Sequence, residues 1–166
     1  LPADLLAQWD IRVVPLHVLV DGTDLRDGVD EVPSDLYQRP QVSTAGAGPA
    51  ELAHAYRAAL ADSHGDGVVA VHLSTALSST LGAAQHAAAE FGGAVAVVDS
   101  RSAGMGTGFV ALAAARAAGA GAGLDDVVAQ AESAASRVSA FIVVQRLDNL
   151  RRSGRIGAAA SWLGTA

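Results

Sequence analysis

Two short runs, Val68-Val69-Ala70-Val71 and Ala94-Val95-Ala96-Val97-Val98, constrain this chain more than any other feature. Each is apolar at consecutive positions, so a strand formed there has two faces to cover, whereas a strand with one wet face alternates. A polar turn and an alanine-rich stretch of helical length follow each run. Strand-then-helix order of this kind implies an α/β fold, an open parallel sheet flanked by helices on both sides. Ligands of such sheets sit beyond the carboxyl ends of the strands.

Past the first run comes His72-Leu73-Ser74-Thr75-Ala76-Leu77-Ser78-Ser79-Thr80, with five hydroxyls in the seven residues from Ser74. We read it as a strand end, a turn and a helix start. The first four N–H groups of a helix lack intrahelical partners, and the dipole adds positive character, so hydroxyls placed there form an anion site. Capping of the helix by Ser74 or Ser78 accounts for the same residue types, and the residues alone leave both readings open. The topology rule puts Ser74 to Ser79, Asp99 to Ser102 and the Ser43-Thr44 segment on one rim.

Composition removes several classes. With 166 residues the chain can bury a core without staples. It carries only 11 Lys and Arg, a net charge of −6 and no basic run longer than Arg151-Arg152, so the footprint of a nucleic-acid binder is missing. The absence of cysteine excludes disulfides, thiol catalysis and thiolate metal sites, and it fits a cytoplasmic protein. No signal-peptide pattern is evident at the N-terminus. The longest apolar stretch, Phe109 to Gly123, contains Arg116 and is too short for an integral membrane segment. The acidic residues Asp24, Asp27, Asp30 and Glu31 lack the order of a calcium loop, which leaves no expected metal or cofactor. There is no Gly-x-Ser-x-Gly elbow for a hydrolase, and no catalysis is expected of the chain alone. Gly104-x-Gly106-x-x-Phe109 lacks the third glycine of a dinucleotide fingerprint, and no Walker sequence occurs. A phosphate- or nucleotide-binding α/β domain still competes, because serine-rich turns suit phosphate as well as carboxylate.

The remaining elements follow from periodicity and punctuation. A helical turn is expected near Leu1 to Leu6, and a strand from Ile11 to Val20 interrupted at Pro15. Asp21-Gly22 should turn that strand into a hairpin with Thr23 to Arg26. A short helix from Ser34, an irregular loop from Arg39 to Gly48 and a helix from Pro49 to about Ser63 come next. Strands at Gly67 to Leu73 and Ala94 to Val98 alternate with helices to about Glu90, over Phe109 to Ala118 and over Leu124 to Arg137. Ala140 to Val144 reads as one more strand. Leu147 to Ile156 then carries three arginines in five residues.

Taken together these residues resemble the DegV family, fatty-acid-binding proteins that include the FakB-type subunits of bacterial fatty acid kinase. The matches keep the family's order: Val14-Pro15-Leu16 with Asp21-Gly22 and Asp27-Gly28, Thr44 in its loop, the stretch from His72 to Thr80, Val98-Asp99-Ser100, and Leu150-Arg151-Arg152-Ser153-Gly154-Arg155-Ile156. The resemblance implies one bound long-chain fatty acid, its tail in an apolar tunnel between two domains and its carboxylate held by hydroxyls. By position Thr44 and Ser78 are the expected carboxylate contacts, with Ser74, Thr75 and Ser79 lining the same turn. Arg155, helped by Arg151, is expected on the surface that meets a separate kinase subunit, which would make the acyl phosphate. Ala83, Ala84, Ala111 and Ala114 could leave room for the tail, although close helix–sheet packing needs the same small residues.

The resemblance also sets expectations of extent. Residues 1–98 would form the N-terminal α/β domain, with later helices up to about 166 as a possible extension, and residues 99–166 would lead into or begin a truncated second α/β domain. The family's first strand is missing ahead of Leu1, and its C-terminal histidine cannot be placed. Two departures bear on the site: Ala45-Gly46-Ala47 replaces Ser-Gln-Pro after Thr44, and Ser79 stands where the family usually has glycine.

Overall fold

The computed structural model describes residues 1–39, 41–141 and 155. After a short helix α1 (Ala3–Gln8), strands β1 (His17–Val20) and β2 (Thr23–Arg26) form the expected hairpin. Asp21 and Gly22 both take positive φ, 50° and 86°, as the tight two-residue turn between twisted strands requires. The strand is shorter than the sequence pattern suggests, because Pro15 precedes it and Val13 is exposed.

The segment read as an irregular loop is instead strand β3 (Val42–Ala45), antiparallel to β1 with Val18 opposite Thr44. Order β2-β1-β3 makes β3 an edge, and all four of its residues are exposed. Val42 and Thr44 are β-branched and suit a strand. The Pro and Gly that flagged a loop merely bracket it. The short helix expected from Ser34 is a single 3-10 turn, Leu36–Gln38.

Helix α2 (Pro49–Asp62), strand β4 (Val68–His72), helix α3 (Thr80–Ala88), a 3-10 turn at Ala89–Phe91 and strand β5 (Val95–Asp99) follow. β4 and β5 pair in parallel, Val68 beside Val95 through His72 beside Asp99. Alternate residues face opposite ways: Val68, Ala70, Val95 and Val97 pack with Leu52, Tyr56, Ala84 and Ala87 of α2 and α3. On the other face Val69, Val71 and Val98 meet helices α4 (Met105–Gly119) and α5 (Leu124–Arg137) through Val110, Ala114, Val127 and Ala131. The apolar runs are thus covered on both sides, as their composition demands.

Helix α4 starts a turn earlier than expected, at Met105 instead of Phe109. Glycine is a poor helix former, which hides the first turn from a sequence reading. Packing explains it: a Cβ on Gly106 would collide with the Ser102 hydroxyl, and one on Gly108 would lie 3.0 Å from Leu1 Cγ. Of the strand expected at Ala140 to Val144, Ala140 and Phe141 are described and are not in a strand, while residues 142–144, Arg151 and the rest of the arginine-rich segment apart from Arg155 lie outside the described residues. No helix among the described residues is long and apolar enough to cross a membrane.

Leu52 is fully enclosed, so Leu52→Ala should cost about 2–5 kcal/mol in a chemical denaturation series. Val13→Ala, at an exposed position, should stay within about 0.5 kcal/mol of the parent.

Candidate hydroxyl-lined site

The parallel register ends β4 and β5 side by side, at His72 and Asp99. The chains leaving them are stitched together. Ser100 N–H donates to the His72 carbonyl at 2.9 Å, and Ser74 N–H donates to the Ser102 carbonyl at 2.8 Å. The Thr75 hydroxyl donates to Asp99 Oδ2 at 3.1 Å, while Asp99 Oδ1 accepts the Arg101 N–H at 2.8 Å. Ser100 is fully buried and its hydroxyl meets Thr107 Oγ1 at 2.9 Å, anchoring the second turn under α4.

Local hydrogen bonding separates the serines by what each one holds. Ser74 is buried; its hydroxyl accepts the Ala76 N–H at 3.2 Å and its carbonyl accepts the N–H groups of Leu77 and Ser78, so it shapes the turn. The Ser78 hydroxyl accepts the Thr80 N–H at 3.2 Å and lies 2.7 Å from Thr80 Oγ1. It therefore satisfies one donor at the start of α3 while remaining half-buried. Ser79 and Thr75 are exposed. Ser79 occupies ordinary right-handed backbone at φ −77°, so the residue that replaces the family's glycine fits without strain.

Two distant segments reach this turn. Gly46, just past β3, lies against Thr80: a Cβ there would strike Thr80 Oγ1 and sit 3.2 Å from its Cβ. The Ala-Gly-Ala departure after Thr44 thus provides the room that brings β3 close to α3. Arg155 Nε donates to the Leu77 carbonyl at 2.8 Å across 78 residues of sequence. Thr44 itself is exposed on β3, two residues before Gly46, and makes no hydrogen bond to Ser78 among the described residues. The sequence pattern assigns no role to Thr80, Gly46 or the Thr75–Asp99 pair. The Ser-x-Thr spacing of Ser78 and Thr80 is the available signal for the first.

Behind the turn the Tyr56 hydroxyl meets His72 Nε2 at 3.0 Å, and the Tyr56 ring packs edge-on against Phe91. Burial holds His72 below its ordinary 6.5 and pushes Tyr56 up to about 12. Both are neutral near pH 7, so the formal charges on the rim come from Asp99, Arg101 and Arg155. Hydroxyl donors and the first turn of α3 are suited to an anionic oxygen group. Beyond Ser102 an apolar groove of about 520 Å³ opens, lined by Ala103, Met105, Phe109, Val138 and Phe141. Met105, Phe109 and Phe141 are 45%, 54% and 93% exposed, so their apolar surface is available to a ligand or a neighbouring segment. No cluster of three His, Asp or Glu side chains able to hold a metal occurs among the described residues.

A lowered histidine pKa means that the unfolded chain binds the proton more readily than the native one. The stability that His72 contributes as a neutral ring is present above pH 6.5 and is lost as pH falls toward the native value. NMR titration should place the His72 ring below 6.5; a normal or raised value would contradict its burial against Tyr56. Gly46→Ala should lower thermal stability by displacing Thr80, with the change visible in the Thr80 and Ser78 amide shifts.

Comparison with known proteins agrees with this architecture. The chain is 65% identical over 166 residues to a DegV domain-containing protein of Mycobacterium tuberculosis, covering 100% of this chain and 59% of that protein. It therefore spans about three fifths of the length of that relative. A DegV family protein from Thermus thermophilus, described by its fatty acid binding, superimposes with a TM-score of 0.85 at 36% identity, covering 99% of this chain and 60% of that one. A stearic acid-binding protein from Eubacterium ventriosum gives a TM-score of 0.73 at 27% identity, covering 95% and 57%. The DegV family model matches residues 1–166, and the chain belongs to the DegV family.

Proposed function

We propose that this chain carries the head-group end of a fatty-acid carrier. The observation that supports it most is the bond from Ser74 N–H to the Ser102 carbonyl, which ties the hydroxyl-rich turn to the chain that lines the apolar groove from Ala103 onward. Relatives described as binding fatty acid and stearic acid share the fold and support the same reading.

On this reading Ser78 and Thr44 contact the carboxylate, Ser74 shapes the turn, and Thr75 and Ser79 line it. Ser78 Oγ accepts the Thr80 N–H, and when the Thr80 hydroxyl is the donor of the bond they share, the Ser78 proton is left for the ligand. A carboxylate withdrawn from water needs such charge-assisted bonds to offset its desolvation. The tail needs apolar volume alone: each buried methylene contributes about 0.8 kcal/mol, so roughly fifteen of them support tight binding.

The rest of the reading concerns the longer protein. The packing of α4 and α5 on the parallel sheet supports an N-terminal domain that takes them in, with a second domain beginning beyond α5. The protein acts as a cytoplasmic carrier, not an enzyme, and a separate fatty acid kinase subunit phosphorylates the carboxylate. Arg155, tied to the Leu77 carbonyl, links the arginine-rich docking segment to the turn that holds the head group, and Arg151 belongs to the same surface.

Native mass spectrometry of the full-length protein, with identification of the released ligand, tests the proposal. A stoichiometric fatty acid supports it; a nucleotide would transfer the site to the phosphate-binding class. Ser78→Ala should weaken stearate binding by about 1–3 kcal/mol in calorimetry without unfolding the protein. Arg155→Ala should affect stearate affinity less than Ser78→Ala does, and transfer to a kinase subunit more; equal losses in both would remove the docking role.

A further inference from the structure

His17 stands at the start of β1, opposite Ala45 in β3 and Arg26 in β2. Its Nδ1 is 2.8 Å from Asp24 Oδ1, and its Nε2 is 3.1 Å from Glu51 Oε1 and 3.3 Å from Oε2. A neutral imidazole has one N–H and cannot donate to both carboxylates; an imidazolium donates to each. The His17 side chain is 15% exposed, whereas those of Asp24 and Glu51 are 55% and 48% exposed. Asp24 contributes most, through its hydrogen bond, to raising the ring above its ordinary 6.5, and Glu51 adds to it.

The other charged groups near this ring are already engaged. Arg26, the cross-strand neighbour, binds Asp30 at 2.9 and 3.0 Å, and β3 carries no titratable side chain. Asp24 from β2 and Glu51 from α2 are therefore the groups that face the ring. Glu51 also closes the start of α2, where its Oε2 accepts the Gly48 N–H at 2.7 Å. The short link from Thr44 to α2 runs through Gly46, which rests on Thr80, and Thr80 in turn holds Ser78. One ring thus braces β1, β2 and the entry to α2, around the segment that carries Thr44.

We propose that His17 is a positioning residue for the hydroxyl rim, a charged clamp between Asp24 and Glu51 whose loss of a proton loosens the Thr44 segment and weakens binding of an anionic head group. This rests on the carrier reading above. Deprotonation leaves one of the two carboxylates without its donor. The clamp is complete below the raised pKa and is lost as pH rises through it. His72, the histidine behind the turn, is shifted the opposite way, so its titration falls in a separate pH range.

The test is stearate affinity of the full-length protein as a function of pH, for the parent and for His17→Gln, which cannot titrate. From about pH 6 to about pH 9 the parent should lose roughly three- to tenfold in affinity, with its midpoint at the His17 pKa measured by NMR, and the variant should show no such step. A parent without the step, or a variant that keeps it, overturns the proposal. Glu51→Gln, which retains an oxygen for the Gly48 N–H, should move the step to lower pH; an unmoved step also counts against it. Failure of stearate to bind at every pH would end the carrier reading alone. The clamp is then judged on ligand-free protein: the Gly46 and Gly48 amide shifts should follow the His17 titration, and amides that ignore it overturn the assignment.

Discussion

The site depends on the in-register parallel pairing of β4 and β5. Because His72 lies beside Asp99, the two chains leave the sheet together, and their first polar groups bond across the gap between the turns. Each such bond satisfies a backbone group that the end of a sheet would otherwise leave without a partner. The hydroxyl rim is therefore built on backbone geometry: Ser74 N–H on the Ser102 carbonyl and Ser100 N–H on the His72 carbonyl hold it from below.

Close packing then decides what can approach that rim. Glycine at 46 and 106 and alanines at 84, 87, 131 and 134 let helices, strand ends and serine side chains come nearer than larger residues permit. Interiors packed this densely transmit small displacements, so Thr80, trapped between Gly46 and Ser78, connects the antiparallel sheet to the head of α3. The two histidines show how environment sets charge within one small structure. His17, between two carboxylates, favours its proton; His72, in the apolar layer against Tyr56, does not.

What could be read from the sequence followed from strong local signals. Continuous apolar runs identify β4 and β5, Asp21-Gly22 identifies the hairpin, and the Gly48-Pro49 entry identifies α2. β3 escaped because its four exposed residues show no apolar period, and the start of α4 escaped because Gly106 and Gly108 are there for tertiary contact instead of propensity. Ser74, Thr75, Ser78 and Ser79 were legible as one turn because they are contiguous. The bonds joining that turn to the rest were not: Arg155 reaches Leu77 over 78 residues and Thr75 reaches Asp99 over 24, just as His17 in β1 finds Glu51 in α2 over 34. Spacing patterns carry no information on such pairs, since topology alone brings them together.

A carboxylate held by hydroxyls at the head of α3 is the centre of this account. Stearate labelled with carbon-13 at its carboxyl, bound to the full-length protein, tests it most directly by NMR. The account predicts a carboxyl resonance shifted from that of free stearate, with Ser78 and Thr44 the residues whose own signals move most on binding. A shift confined to residues away from Ser78 and Thr44, or no bound resonance at all, would contradict it.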